Sequence, residues 1–213
     1  EDSGWYRGNW SMAKNLPWGK NAGCSMVNDR CEQWALPDNS GYFCSKKDNS
    51  VRHCNFEHTT ISYCGITSYS SALEYYEHLA KPTDGGLVGF MDYCPFPAKY
   101  SNLDCRSSGS GTSLEAFGPG SACFNSNLQS SATQSAKCFK FSCNNNQLQI
   151  IMGGNQIECP ADQTYRRILN PNGVSGYVDC PLNGYDILCG ADAVNRESPA
   201  NNNESNSESK NFL

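Results

Sequence analysis

The sequence predicts an α+β fold that is mostly β and irregular, rich in disulfides, with one or a few short helices. Three observations lead to this fold class. Thirteen cysteines are spread through polar sequence, strand patterns gather in the second half, and one stretch alone has a clear helical pattern. The 213 residues suffice for one large or two small domains, but 38% of them are hydrophobic. A core this modest needs cross-links for stability.

The cysteine spacing favours disulfides over metal ligation. The cysteines occupy positions 24, 31, 44, 54, 64, 94, 105, 123, 138, 143, 159, 180 and 189. No C-x-x-C pair occurs, and that pair is the basic unit of zinc ribbons, zinc fingers and thioredoxin-like redox sites. Disulfides form in oxidising compartments, so we expect an extracellular or cell-surface protein from the secretory pathway. Because the number is odd, one cysteine is free, bonded to another chain, or bonded to sequence outside these residues.

Strand patterns are concentrated in the second half of the chain. The predicted strands are Lys137–Ser142, Gln147–Met152, Gln156–Glu158 and Gly176–Asp179. The sequence Met152-Gly153-Gly154-Asn155 joins two of them, and a Gly-Gly pair between strands predicts a β-hairpin.

The clearest helical pattern covers Ala72–Ala80. Ser71 and Glu74 have the spacing of a capping box, and three large apolar or aromatic side chains share one face of the predicted helix. Pro82 would end it.

The composition suggests three segments. Residues 1–30 are rich in Trp, Gly and Asn without a sustained period, which is typical of a packed, irregular connector. Residues 31–190 carry the recurrent cysteines and form the predicted domain. Residues 191–213 include the run NNNESNSES and have almost nothing to bury, so we expect a disordered tail.

Charge and hydropathy exclude several classes of partner. A net charge of −5 and a pI near 5.2 argue against nucleic acid. The most apolar run, Leu148–Met152, suits one buried strand and is far shorter than a membrane span. Asn9-Trp10-Ser11 and Asn203-Glu204-Ser205 are formal N-glycosylation acceptors, which fits a secreted glycoprotein.

No reaction centre can be recognised in these residues. A zinc peptidase of the H-E-x-x-H type needs two histidines four positions apart with Glu after the first, and His53, His58 and His78 do not meet this pattern. We expect isolated surface or capping roles for the three. The run Gly173–Tyr177 misses G-x-S-x-G at its last position and predicts a turn before a strand. We therefore predict no catalytic residue and no metal ligand.

Short phrases along the chain resemble the region that follows the zinc-binding core in leishmanolysin-like zinc metallopeptidases. The phrases are Asp2–Tyr6, Ser11–Ala13, Pro17–Cys24, Tyr42–Cys44, Asp92–Pro95, Tyr100–Ser101, Phe117–Gly118, Cys123–Phe124 and Cys180–Pro181. The likeness spans about residues 2–190 and preserves the order of the cysteines and most of their spacings. It covers aromatic, glycine and cysteine positions together, which makes it specific.

The resemblance implies that residues 1–30 connect to a missing catalytic region and that residues 31–190 are a C-terminal domain, inactive alone. The intact protein would be a secreted or cell-surface zinc endopeptidase acting on proteins or peptides. Its Zn²⁺ ligands would lie in H-E-x-x-H and a more distant third histidine, all outside this chain.

The resemblance also implies a disulfide pattern. The implied pairs are Cys31–Cys94, Cys44–Cys64, Cys54–Cys123, Cys105–Cys138, Cys143–Cys189 and Cys159–Cys180. Cys24 is left over, and its family counterpart bonds into the missing catalytic region. The alternative is a stand-alone secreted cysteine-rich adhesion or binding module without catalysis, in which Cys24 is free or links two chains.

Overall fold

A computed structural model describes residues 4–5, 7–9, 18–19, 22–34, 42–47, 51–128, 135–145, 147–160, 165–169 and 173–190. Within these residues, antiparallel strands form four small sheets, accompanied by two short α-helices and by 3₁₀ turns. The predicted fold class, mostly β and irregular with many disulfides and few short helices, is confirmed.

The elements follow one another in this order. The strands are β1 (His53–Cys54), β2 (Thr60–Cys64), β3 (Ile66–Ser68), β4 (Asp84–Gly86), β5 (Pro97–Asp104), β6 (Ser121–Asn125), β7 (Ala136–Asn144), β8 (Gln147–Met152), β9 (Asn155–Cys159), β10 (Tyr165–Leu169) and β11 (Gly176–Cys180). The α-helices are α1 (Ser25–Asn28) and α2 (Gly184–Leu188). The 3₁₀ helices span Cys31–Trp34, Glu74–Tyr76 and Gly89–Met91.

The largest sheet has the order β6-β7-β8-β9, with every neighbouring pair antiparallel. Side chains alternate across the pleat, so Leu148, Ile150 and Met152 of β8 are all buried on one face. They pack with Phe124 and Phe139 in the main hydrophobic core. The predicted strand Gln147–Met152 is confirmed, and the other three predicted strands lie within β7, β9 and β11.

The turn between β8 and β9 is the predicted hairpin. Met152 pairs with Asn155 across it, so the loop consists of Gly153 and Gly154. Both glycines have positive φ, 51° and 80°. A two-residue turn with positive φ at both positions matches the twist of the flanking strands, and glycine adopts it without steric penalty. The prediction is confirmed.

A second sheet, β1-β2-β5, is fastened to the largest one by disulfides. Cys54 in β1 bonds to Cys123 in β6, and Cys105, directly after β5, bonds to Cys138 in β7. These four cysteines are almost fully buried and pack with Ile61 in a second hydrophobic cluster. The disulfides therefore provide part of the core that the polar composition does not.

The predicted helix over Ala72–Ala80 is wrong. The structure has a single 3₁₀ turn at Glu74–Tyr76, and Glu74 itself has a left-handed φ of 50°. The backbone N–H of Leu73 donates to the carbonyl oxygen of Pro82 at 3.0 Å, which closes the segment into a loop. This loop lies against the β3–β4 pair, because the Leu73 side chain approaches Gly85. Long-range contacts have thus overridden local helix propensity.

The predicted domain boundaries stay predictions. Residues 191–213 lie outside the described residues, as does Asn203, and Asn9 is exposed. In the part of the chain that the structure describes, no helix has the length and apolar character needed to span a membrane.

Candidate functional site

Twelve of the thirteen cysteines form disulfides. The bonds join Cys31–Cys94, Cys44–Cys64, Cys54–Cys123, Cys105–Cys138, Cys143–Cys189 and Cys159–Cys180. These are the same pairs as those implied by the resemblance. Within these residues Cys24 is the remaining cysteine, with an exposed free thiol.

Local structure presents Cys24 at the surface. Gly23, directly before it, has a left-handed φ of 77°, and α1 begins with the next residue. The backbone N–H groups of Val27 and Asn28 donate to the carbonyl oxygen of Cys24 at 3.1 and 3.0 Å. The helix is a single turn without a buried residue. Cys24 is therefore held by its backbone while its side chain stays accessible.

Aromatic contacts attach the N-terminal segment to the domain. The ring of Trp18 lies 4.7 Å from that of Tyr42, 5.8 Å from that of Phe43 and 4.9 Å from that of Phe56, edge-on in each case. Such pairs contribute about 0.5–1.5 kcal/mol each beyond the burial of their area. Met26 of α1 packs against the same cluster, so the helix that begins directly after Cys24 is attached to the domain.

Tyr42 connects this aromatic cluster with the end of the domain near α2. Burial raises the pKa of Tyr42, and hydrogen bonds with the Gly19 backbone and the Asn183 side chain partly offset the increase. Tyr42 is 1% exposed and Asn183 4%. The contact joins residues from opposite ends of the described chain.

His78 lies beside the disulfide Cys31–Cys94. Its Nε2 atom is 3.6 Å from Cys94 Sγ and 2.7 Å from the backbone oxygen of Asp92. Its Nδ1 atom is buried and has no hydrogen-bond partner among the described residues. Sequence reasoning missed this arrangement, because no spacing signal relates His78 to either cysteine.

The other two histidines are buried, so the expectation of surface or capping roles is wrong for them. His53 lies in β1 and is 4% exposed, and His58 is 8% exposed. Burial lowers the pKa of His53 to about 4. Burial also lowers the pKa of His58, although the hydrogen bond of its Nδ1 to the backbone oxygen of Cys123, at 2.7 Å, partly offsets this. Both are neutral structural side chains near neutral pH.

The described residues do not fit the zinc ion that the resemblance implies for the intact protein. Among them, a single group of three His, Cys, Asp or Glu side chains has its ligand atoms within 4.8 Å of one another, namely Cys31, His78 and Cys94. Two of the three are bonded to each other as a disulfide and offer no thiolate. The 213 residues also contain no H-E-x-x-H sequence.

The run Gly173–Tyr177, which resembles G-x-S-x-G, leads into a strand. Gly173 has a left-handed φ of 79°, Ser175 is exposed, and β11 begins at Gly176. The predicted turn before a strand is confirmed.

Comparison with known proteins relates the whole domain to one peptidase family. A family model described as leishmanolysin matches residues 1–194. The chain is 26% identical over 204 residues to a leishmanolysin of Leishmania amazonensis, covering 92% of this chain and 32% of that protein. It is 30% identical over 105 residues to the leishmanolysin of Leishmania major, covering 49% and 17%.

An insect relative shows the same partial coverage. The chain is 26% identical over 237 residues to a leishmanolysin-like peptidase of Drosophila melanogaster, covering 90% of this chain and 34% of that protein. The chain thus spans about a sixth to a third of the length of these curated relatives.

Proposed function

Since this chain belongs to the leishmanolysin family of peptidases, we propose that it is the C-terminal portion of a secreted or cell-surface zinc metalloendopeptidase. The intact protein would hydrolyse peptide bonds in proteins or peptides. Zinc binding and catalysis would belong to sequence outside these residues, and the present portion would be inactive alone.

The observation that carries this proposal is the exposed thiol of Cys24. Twelve cysteines are paired within the chain, and Cys24 is exposed directly before α1, whose Met26 packs against the Trp18 cluster. A surface cysteine in a secreted disulfide-rich protein needs a partner, since an exposed free thiol is reactive under oxidising conditions. A cysteine of the upstream catalytic region would supply that partner.

The domain would stabilise the intact enzyme and shape the flank of its substrate cleft. Its disulfides hold two sheets and the N-terminal segment together, which suits a rigid support for a neighbouring region. The same disulfides support passage through the secretory pathway.

Non-reducing peptide mapping of the full-length protein tests the proposal directly. We expect the peptide that carries Cys24 to be linked to a peptide from outside residues 1–213. The six internal pairs serve as the control for unscrambled bonds. A free thiol, or a Cys24–Cys24 bond between two chains, would overturn the proposed connection.

A second test measures the zinc content and the peptidase activity of the full-length protein. We expect the full-length protein to retain one zinc ion per chain and to cleave a protein substrate in a chelator-sensitive manner. Residues 1–213 by themselves should not cleave the same substrate. An upstream sequence without H-E-x-x-H would count against the proposal.

Exposed aromatic side chains favour a second candidate, a secreted binding or adhesion module without catalysis. Tyr75 is 93% exposed and Phe90 is 90% exposed. Such residues are enriched at protein interfaces. This candidate predicts that Cys24 is free or links two chains, so the peptide map also separates the two functions.

A further inference from the structure

The six disulfides differ in how accessible they are. Four of them join cysteines that are both buried: Cys44–Cys64, Cys54–Cys123, Cys105–Cys138 and Cys159–Cys180. In Cys31–Cys94 the second cysteine is partly exposed, and in Cys143–Cys189 one is exposed and the other partly exposed. A thiol in solution therefore has two bonds within reach.

The imidazole of His78 distinguishes these two bonds. Its Nε2 atom is 2.7 Å from the carbonyl oxygen of Asp92, and a carbonyl oxygen only accepts hydrogen bonds. Nε2 therefore carries a proton, and it is held 3.6 Å from Cys94 Sγ. A hydrogen-bond donor at this place favours departure of Cys94 as the leaving thiolate, because a more stable leaving thiolate departs faster.

The backbone around Cys94 holds this geometry. Asp92 and Tyr93 are consecutive non-glycine residues with left-handed φ of 52° and 57°, a conformation that side chains with a Cβ atom rarely adopt. Hydrogen bonds maintain it, from the Asp92 N–H to the Gly89 oxygen at 3.0 Å and from the Gly86 N–H to the Tyr93 oxygen at 2.6 Å. The Asp92 carbonyl is thereby aimed at His78.

The other half of the bond lies on two short helical elements. Cys31 begins a one-turn 3₁₀ helix, and the preceding helix α1 has no buried residue. Elements with few buried contacts open locally at low free energy. Cys31 is 5% exposed and packs with Tyr42 and Phe43, so attack on its Sγ atom requires this segment to open while Cys94 remains beside His78.

We propose that Cys31–Cys94 is a thiol–disulfide exchange site for low-molecular-weight thiols, with His78 Nε2–H as the hydrogen-bond donor that stabilises the leaving Cys94 thiolate. The incoming thiolate attacks Cys31 Sγ, a new S–S bond forms there, and the Cys31–Cys94 bond breaks. Cys94 Sγ leaves with the electron pair as a thiolate, which accepts a hydrogen bond from His78 Nε2–H and takes its proton from water. A second thiol then displaces the first from Cys31, which yields two protein thiols and the oxidised small molecule.

Exchange at this bond has a structural consequence. The bond ties the 3₁₀ helix at Cys31–Trp34, and through it α1 and Cys24, to the loop before β5. Its opening removes that covalent tie while the four buried bonds stay closed. Thiol exchange at this bond does not depend on the peptidase function proposed above.

The test is a time course of reduction of the full-length protein by reduced glutathione. Samples are quenched by alkylation, and peptide mass mapping gives the rate for each disulfide. We expect the first mixed disulfide on Cys31. In H78F, which keeps a ring but lacks the donor, opening of Cys31–Cys94 should be slower by about 10-fold or more. In H78Q, which keeps an N–H donor, the loss should be smaller.

Cys143–Cys189 is the internal control, since it is accessible in the same molecule and reports any general loosening. Its rate should be the same in all three proteins. The proposal is overturned if H78F leaves the ratio of the two rates unchanged, or if it accelerates Cys31–Cys94, which would mean that His78 merely packs against the bond. Attachment of glutathione to Cys94 first would also overturn it, and this observation on the unaltered protein needs no variant to fold.

Discussion

Lys137 and Glu115 form an ion pair within the domain, with Lys137 Nζ 3.6 Å from Glu115 Oε1 and each side chain 11% exposed. Lys137 belongs to β7, and Glu115 belongs to the loop that precedes β6. The pair lies beside the disulfide region, since the Ala116 N–H donates to the Cys138 carbonyl oxygen at 2.9 Å.

The first prediction concerns this ion pair. The variant E115Q leaves the Lys137 ammonium largely buried without a counter-charge, so we expect a loss of about 3 kcal/mol in the free energy of unfolding. Chemical denaturation with intact disulfides measures it. The double variant E115L/K137M removes both charges and should lose much less. Removal of the more exposed cation in K81M, which breaks the pair Lys81–Asp84 at 3.4 Å, should change stability little. Equal losses in E115Q and K81M would contradict the argument.

The second prediction concerns pH. Burial lowers the pKa of His53 from 6.5 to about 4, so the unfolded chain binds a proton at a pH where the native state does not. The contribution of neutral, buried His53 to the free energy of unfolding is complete above pH 6.5. It decreases as the pH falls and is lost by about pH 4. The expected loss is about 3 kcal/mol.

The variant H53F tests this effect, because phenylalanine does not titrate. Its free energy of unfolding, measured by denaturation between pH 8 and pH 4, should fall less on acidification than that of the unaltered protein. An identical pH dependence in both proteins would show that His53 does not contribute. His58 has a lowered pKa as well, so we expect H53F to remove only part of the total dependence.

The third prediction concerns the attachment of the N-terminal segment. Trp18 contacts three aromatic rings, so W18A should release the segment that carries Cys24. Limited proteolysis should cleave this variant faster at sites near Cys24. The free energy of unfolding should fall by about 2 kcal/mol, which is less than for a fully buried tryptophan because Trp18 is only partly buried. The control is W5A, since Trp5 is 82% exposed. Similar cleavage rates in both variants would contradict an anchoring role.

Local sequence patterns predicted four strands of the second half and the hairpin turn, but not β6 or β10. Gln147–Met152 has the bounds of β8, because its alternating side chains need only a pleat with one buried face. Gly153 and Gly154 predicted the hairpin for an equally local reason, the positive φ of both residues. The strands β2 and β5 of the first half were missed, because β2 is buried at nearly every position and the burial of β5 is irregular, so neither strand alternates regularly.

Local patterns gave wrong predictions where contacts between distant residues determine the backbone conformation or the burial of a side chain. Ala72–Ala80 has a helical pattern, but the hydrogen bond from Leu73 to Pro82 and the contact with Gly85 make it a loop. His53 and His58 were expected near the surface because histidine is polar. They are buried, and His58 is satisfied by the Cys123 carbonyl oxygen on another strand.

The sequence by itself determined the disulfide-dependent character of the core and the family, because these follow from the number of cysteines and from phrases that are read in chain order. The tertiary structure alone decided that His78 lies against Cys94 and that Lys137 meets Glu115. Such pairs depend on how separate strands and loops close on one another. No pattern along the chain records the distance between two side chains that only folding brings together.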